Sequence, residues 1–229
     1  MKLLIIIPAY NEEDSLPLVA QDLRELISNS VVIDDGSKDR TGDIARNLGF
    51  SVVSLPFNLG IGGSVQTGLK YALENGYDIA AQFDGDYQHR ADQIENIVEP
   101  VKKGTADLAI GSRVLAKKYS FPFFRRLGGR WFSLLLYLLA GVRVSDPTSG
   151  FRCYGKKAIE CFAQNYPEDY PEVESILLGS KTGLKIQEVP ALMRIRTRGK
   201  SSIGVFKAIY YMIKVTLGLL IGSIRAFKT

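Results

Sequence analysis

Ile79-Ala80-Ala81-Gln82-Phe83-Asp84-Gly85-Asp86-Tyr87-Gln88-His89 is the stretch from which the fold is read most directly. It begins as a short apolar run, the pattern of a strand buried on both faces, and then turns abruptly acidic. Asp84, Asp86 and Gln88 stand at alternate positions, so two carboxylates and an amide oxygen can point at one spot. A hard cation such as Mg2+ or Mn2+ prefers oxygen ligands and bridges to phosphate oxygens. Gly85 leaves room for a ligand close to the backbone. The competing reading is a solvated Asp-Gly turn.

Outward from this stretch the same texture repeats. Leu3–Ile7, Val31–Asp34, Ser51–Leu55 and Leu108–Ile110 read as further strands. Asp14–Ile27, Asp39–Leu48, Ile61–Asn75 and Ala91–Lys103 read as helices between them. This alternation predicts an α/β fold, with a mostly parallel central sheet, right-handed crossovers and helices on both faces. Ligands of such sheets sit beyond the carboxyl ends of the strands. Three polar clusters fall there: Pro8–Glu12, Asp34–Asp39 and Asp84–His89.

In the first cluster, Tyr10 can pack against a base and Glu12 can hydrogen-bond it. Alternatively, Asn11 and Asp14 start a helix and Tyr10 is core. In the second, Asp35 is read as a ligand group for a base or a ribose hydroxyl, and Asp39 as a helix cap. Asn58-Leu59-Gly60-Ile61-Gly62-Gly63 lacks the spacing of a dinucleotide fingerprint and does not follow the first strand. It is read as a helix start. His89, the single histidine, is read as a structural hydrogen-bonding group beside the acidic loop rather than a general base.

The second half differs. Phe121–Gly141 is rich in leucine and aromatics with arginines between them, and Asp146–Arg152 is a turn-rich loop. Lys156–Gln164 and Val173–Lys181 look helical, Lys185–Val189 and Leu192–Ile195 look like short strands, and Ser202–Phe227 reads as a final helix. The 229 residues suit one α/β domain, with or without an appendage, and the hydrophobic fraction of 46% supplies a sizeable core. Cys153 and Cys161 form neither a zinc pattern nor a disulfide framework, which points to a reducing compartment. The apolar start ends at Pro8 without a small-residue cleavage site, so it is read as a strand and not a signal peptide. No stretch reaches the roughly 18 apolar residues of a spanning helix.

The net charge of +5 is uneven. It gathers in Lys117, Lys118, Arg125, Arg126, Arg130 and Arg143, and again from Arg194 to Lys228. Nucleic acid, an anionic membrane surface or a phosphorylated substrate would each suit such a balance. The neighbours of these charges are too leucine-rich for a groove that tracks nucleic acid, so that partner is set aside.

Pro8–Glu12, Val32–Thr41, Asn58-Leu59-Gly60, Asp84–His89, Gly111-Ser112-Arg113, Asp146–Arg152 and Arg196–Ser202, taken in this order, resemble the inverting nucleotide-sugar glycosyltransferases of sequence family 2. Within that family the likeness is to dolichol-phosphate mannose synthases and bacterial polyprenyl-phosphate glycosyltransferases. It runs from Lys2 to about Ser202, and it implies a GT-A fold. It also implies that Pro8, Ala9, Tyr10, Glu12 and Asp35 hold the nucleoside of a UDP-, GDP- or dTDP-linked sugar. Asp84, Gly85, Asp86 and Gln88 would hold the diphosphate and its Mg2+ or Mn2+, with Asp84, Asp86 and Gln88 as the metal ligands. Asp86, Asp146 and Arg113 would be the catalytic residues, with Arg113 facing phosphate. Arg196 would close over the donor phosphates. The synthases usually carry Lys where this chain has Ser202, which leaves Lys200 or Arg198 to take that place.

Two apolar stretches edged by cations suggest the acceptor. Phe121–Gly141 and the terminal helix fit helices lying in a membrane interface, or else ordinary cover for the sheet. A polyprenyl phosphate would satisfy both their features, its head on Arg113, Arg126, Arg130 and Ser133 and its tail along the helices. Its phosphate is already largely ionised near neutral pH and needs little help from a base, whereas a sugar hydroxyl would require one, for which Asp146 is the candidate. The expectation is therefore a GT-A domain over residues 1–202 and a membrane-associating helix over 203–229. The protein would be cytoplasmic and peripheral at the inner face of the membrane. A hydroxyl acceptor in capsule or cell-wall polysaccharide assembly, a sugar-1-phosphate nucleotidyltransferase and a non-catalytic membrane-surface module are the rival readings. The nucleotidyltransferase would show a glycine-rich basic loop after its first strand, and Pro8–Glu12 is not one.

Overall fold

A computed structural model describes residues 1–117, 123–167, 170–194 and 205–224. Seven strands form one sheet: β1 (Leu3–Ala9), β2 (Ser30–Asp34), β3 (Ser51–Ser54), β4 (Ile79–Gln82), β5 (Leu108–Ser112), β6 (Arg152–Gly155) and β7 (Ile186–Pro190). Their spatial order is β3-β2-β1-β4-β6-β5-β7. Only β6 runs antiparallel to its neighbours, β4 and β5; the other pairings are parallel. The expected mostly parallel sheet is therefore present.

The central strand explains the two-layered core. Side chains of a strand alternate between faces, so an unbroken apolar run must be covered on both sides. In β1, Leu4 and Ile6 join one apolar cluster while Ile5 and Ile7 join the other. The first cluster lies under α3 (Gly60–Glu74), α5 (Phe123–Ala140), α6 (Lys156–Gln164), α7 (Pro171–Lys181) and α8 (Val205–Ile224). The second lies under α1 (Leu16–Asp22) and α4 (Ile94–Lys102), with α2 (Thr41–Asn47) contributing Ala45. Val215 and Leu219 of α8 are fully buried in the first cluster, so this helix packs on the same core as the sheet.

Three elements depart from the sequence reading. The helix expected over Asp14–Ile27 ends at Asp22, and a short 3-10 turn, Ile27–Asn29, leads into β2. The Ser30 hydroxyl donates to the Leu26 carbonyl at 2.7 Å, so polar side chains compete with helix continuation there. β6 is not expected from the sequence: Arg152 closes the turn-rich loop and Cys153–Gly155 have no assigned element, since Arg-Cys-Tyr-Gly carries no apolar alternation although all four are buried. The strand expected at Leu192–Ile195 is absent from its described part, Leu192–Arg194. The Arg194 amide instead donates to the Gln88 carbonyl at 2.8 Å, which draws the chain across the acidic loop.

Candidate active site

β1, β2 and β4 are neighbours, so their carboxyl-end loops meet. Backbone and side-chain bonds stitch them together. The Asp35 amide donates to Ala9 O and the Gly85 amide to Pro8 O, at 2.9 and 3.1 Å. The Asn11 amide donates to the Ser37 hydroxyl at 3.0 Å, and the Lys38 amide to the Asn11 side-chain oxygen at 2.8 Å. A Cβ on residue 85 would come within 3.1 Å of Pro8 O. The missing side chain of Gly85 thus admits the end of β1, not the open space for a ligand expected from sequence.

Tyr10 is exposed at the rim, 41% accessible, as a base-stacking side chain must be. Glu12 is half-buried and accepts a hydrogen bond from the Ser15 hydroxyl at 2.7 Å. Asp35 has a task the sequence did not reveal. It is 3% exposed, and its carboxylate accepts the amides of Leu59 and Gly60 at 2.7 and 2.9 Å. It therefore caps α3, and any nucleoside contact must share those oxygens. Burial raises its pKa, and the two amide hydrogen bonds oppose that rise. Asp39 accepts the Thr41 amide, at the start of α2, at 2.9 Å and the Glu13 amide at 3.2 Å, as expected of a cap.

The acidic loop carries its charge in a partly desolvated place. Asp84 is 28% exposed at its side chain and accepts from the Gln82 amide at 2.8 Å. Burial raises its pKa, opposed by the Gln82 hydrogen bond and the charges of Arg113 and Arg152. Burial also raises the pKa of Asp86, and the nearby charge of Asp84 adds to the rise. The Gln88 amide group donates to Asp86, which leaves the Gln88 side-chain oxygen available as a ligand. His89 accepts the Asp84 amide on Nδ1 at 2.9 Å and packs between Phe83 and Phe151. Burial pulls its pKa down to about 4, so it stays neutral near pH 7 and acts as a prop for the loop.

These residues fit a divalent cation. Two carboxylates of raised pKa beside an amide oxygen form a hard donor set whose repulsion a cation would relieve. Among the described residues no three His, Cys, Asp or Glu side chains gather around one point. With only two carboxylates and one amide oxygen offered by the loop, water or substrate phosphates would have to complete the coordination of a bound cation.

The antiparallel strand β6 brings its preceding loop to the same edge. Asp146, 3% exposed, takes the Arg113 guanidinium in a forked pair at 2.7 and 2.8 Å. Glu188 of β7 accepts the Ser145 and Asp146 amides at 2.8 and 2.7 Å, which fixes that loop. Beside the pair opens a cleft of about 690 Å³, and the expected acceptor residues Arg126, Arg130 and Ser133 line it together with Arg125, Arg143 and Asp146. Arg113, also expected at the acceptor, is not among the lining residues and reaches the cleft only through its bond to Asp146, which is one of them. Arg196 and Lys200 lie outside the described residues.

Sequence reasoning missed several polar groups around the site. Arg152 is wholly buried and donates to Ser149 O at 2.8 Å and to the Ser175 hydroxyl at 2.6 Å. Glu172, in the first turn of α7, has its pKa raised by burial and feels the charges of Arg152, Asp84 and Arg113. Pro171 at the helix start with Glu172 behind it was a readable signal for an earlier helix start. Nothing in the string marks Glu188 or Arg194, because their partners are brought near only by the folded sheet, whereas Gln82 stands two positions before its partner Asp84.

Residues 4–163 match the family model described as Glycosyl transferase family 2. The UDP-N-acetylglucosamine–dolichyl-phosphate N-acetylglucosaminyltransferase of Methanococcus voltae is 32% identical, over 93% of this chain and 96% of its own length. The undecaprenyl-phosphate mannosyltransferase of Micrococcus luteus is 32% identical, over 89% of this chain and 88% of its own. Glucosyl-3-phosphoglycerate synthase from Mycobacterium tuberculosis, solved with Mn2+ and uridine-diphosphate-glucose, superposes with a TM-score of 0.73 at 20% identity. That superposition covers 99% of this chain and 80% of the synthase, and it shows the fold to be GT-A.

Proposed function

The chain belongs to glycosyl transferase family 2, and from that premise we propose that it moves a sugar from a nucleotide diphosphate to a polyprenyl phosphate. The observation that carries this reading is the arginine-lined cleft opening beside the Arg113–Asp146 pair. The names of the relatives from Methanococcus voltae and Micrococcus luteus support a prenyl-phosphate acceptor.

In this reading Tyr10, Glu12 and the loop held by Asp35 receive the nucleoside, with Pro8 and Ala9 shaping that pocket. Asp84, Asp86 and Gln88 hold Mg2+ or Mn2+, which when bound offsets charge on the diphosphate leaving group. The acceptor phosphate rests on Arg126 and Arg130. One of its oxygens attacks the anomeric carbon from the side opposite the donor diphosphate, so configuration inverts. The bond to the diphosphate oxygen breaks as the new bond forms. No proton has to be removed, because the attacking phosphate oxygen is already ionised. Asp146, with both oxygens engaged by one guanidinium, keeps Arg113 in place instead of collecting a proton. Positioning and fixed positive charge supply the rest of the acceleration.

The surfaces of α5 and α8 support a membrane-bound acceptor. Leu127, Trp131, Leu134 and Leu138 form an exposed stripe at helical spacing on α5. Tyr210, Ile213, Leu217, Ile221 and Ile224 form another on α8. The two helices are joined by a hydrogen bond from the Trp131 ring nitrogen to the Thr216 hydroxyl at 3.0 Å. Among the described residues no helix is long and apolar enough to cross a membrane. Peripheral seating on anionic lipid, apolar stripes inward and arginines at the headgroups, agrees with both facts.

One observation favours the rival hydroxyl acceptor: Glu172 is a carboxylate of raised pKa in the field of Asp84 and Arg113. Two variants separate the readings. Arg126→Ala should raise the KM for a short-chain prenyl phosphate about tenfold, a loss of about 1.4 kcal/mol, and leave the donor KM nearly unchanged. Glu172→Gln should retain transfer to that acceptor. Equal losses for donor and acceptor in the first variant, or transfer only to sugar hydroxyls by the wild type, would overturn the proposal.

A further inference from the structure

The acidic loop turns through Tyr87, whose backbone has φ of 63°, a left-handed conformation that a bulky residue adopts only when its surroundings impose it. Arg194 supplies those surroundings. Its amide donates to the Gln88 carbonyl at 2.8 Å. Its guanidinium donates to the His89 carbonyl at 2.6 Å and lies 3.9 Å from the centre of the Tyr87 ring. The other arm of the guanidinium donates to Asp22, the last residue of α1, at 2.6 Å. Three successive loop residues are thus gripped from behind and anchored to a helix. On the other side of the loop the Gln88 amide donates to Asp86 at 3.1 Å. Gln88 is therefore held from both directions, and Asp86 is tied to it through the Gln88 amide.

We propose that Arg194 is a positioning residue which, braced by Asp22, locks the Tyr87 turn so that Asp86 and Gln88 present their oxygens together to a divalent cation. The inference rests on the assignment of those two residues as ligands. Neither Arg194 nor Asp22 touches the cation or the substrates in this arrangement; both act on the loop backbone.

The test is Mn2+ affinity, read by electron paramagnetic resonance titration with the nucleoside diphosphate that the wild type binds. Arg194→Met should weaken Mn2+ binding about tenfold or more, the range typical of residues that orient ligands. Arg194→Lys, which keeps the charge but not the fork, should fall between Met and wild type. Asp22→Asn, which loosens the brace alone, should lose least. The KM for a short-chain prenyl phosphate at saturating Mn2+ and donor should stay within about twofold, which a general loss of structure would not allow. Wild-type Mn2+ affinity in a folded Arg194→Met, or equal losses for Mn2+ and acceptor, would overturn the inference. If Arg194→Met fails to fold, unchanged Mn2+ affinity in both Arg194→Lys and Asp22→Asn would overturn it instead. A wild type that binds no Mn2+ at all would sink the cation assignment itself, a distinct result.

Discussion

Asp86 sits where burial disfavours its charge. Burial and the nearby Asp84 raise its folded pKa, so folding penalises the ionised form relative to the neutral carboxyl. A carboxyl of this kind gives stability that is present below the unfolded pKa and is lost as pH rises through the folded pKa. Asp86→Asn should therefore raise the melting temperature of the apo protein at neutral pH, by a few degrees at most, and the gain should vanish in acid. The same variant should lose cation binding. His89 works with the opposite sign. Its pKa is pulled down to about 4 by burial, so its contribution is present above the unfolded value and is lost as pH falls from about 6.5 to about 4. His89→Gln should flatten the fall in stability over that interval, measured by thermal melts across pH; an unchanged slope would contradict the assignment of His89 as a buried neutral prop. The acidic loop was legible in the sequence because its candidate ligands, Asp84, Asp86 and Gln88, lie close together along the chain. The caps and braces were not: Asp35 reaches α3 from β2, and Arg194 reaches the loop across more than a hundred positions, at His89 O.

At the scale of elements, α5 and α8 each carry two apolar faces. Phe132, Leu135 and Leu136 bury one face of α5, and Val215 and Leu219 one face of α8, while the opposite faces stay apolar and exposed. Burial predicts that Leu219→Ala costs about 2–5 kcal/mol, read as a fall in the denaturation midpoint of the whole domain. Exposure predicts the reverse for Leu138→Glu combined with Ile221→Glu. That pair should leave stability nearly unchanged and sharply reduce binding to anionic vesicles. Vesicle binding at the wild-type level would remove the membrane from the account. The parallel strands were readable as apolar runs with polar ends. β6 was not, because an antiparallel strand of Arg, Cys and Tyr is recognised only by the neighbours that bury it.

For the molecule as a whole, the sheet order explains why the candidate site residues gather at one edge. β1, β2 and β4 end side by side, and the reversal of β6 delivers the Asp146 loop to the same edge. The acidic loop and the arginine-lined cleft consequently lie on either side of the Arg113–Asp146 pair: the Arg113 charge acts on Asp84, and Asp146 lines the cleft. The direct measurement is calorimetric titration of UDP-, GDP- and dTDP-linked sugars, with Mn2+ or with a chelator, into the wild type and Asp86→Ala. One of the nucleotide sugars should bind with Mn2+, and that binding should be lost on chelation and in the folded variant. Binding that is indifferent to both the chelator and the substitution would contradict the assignment of the acidic loop as the cation site.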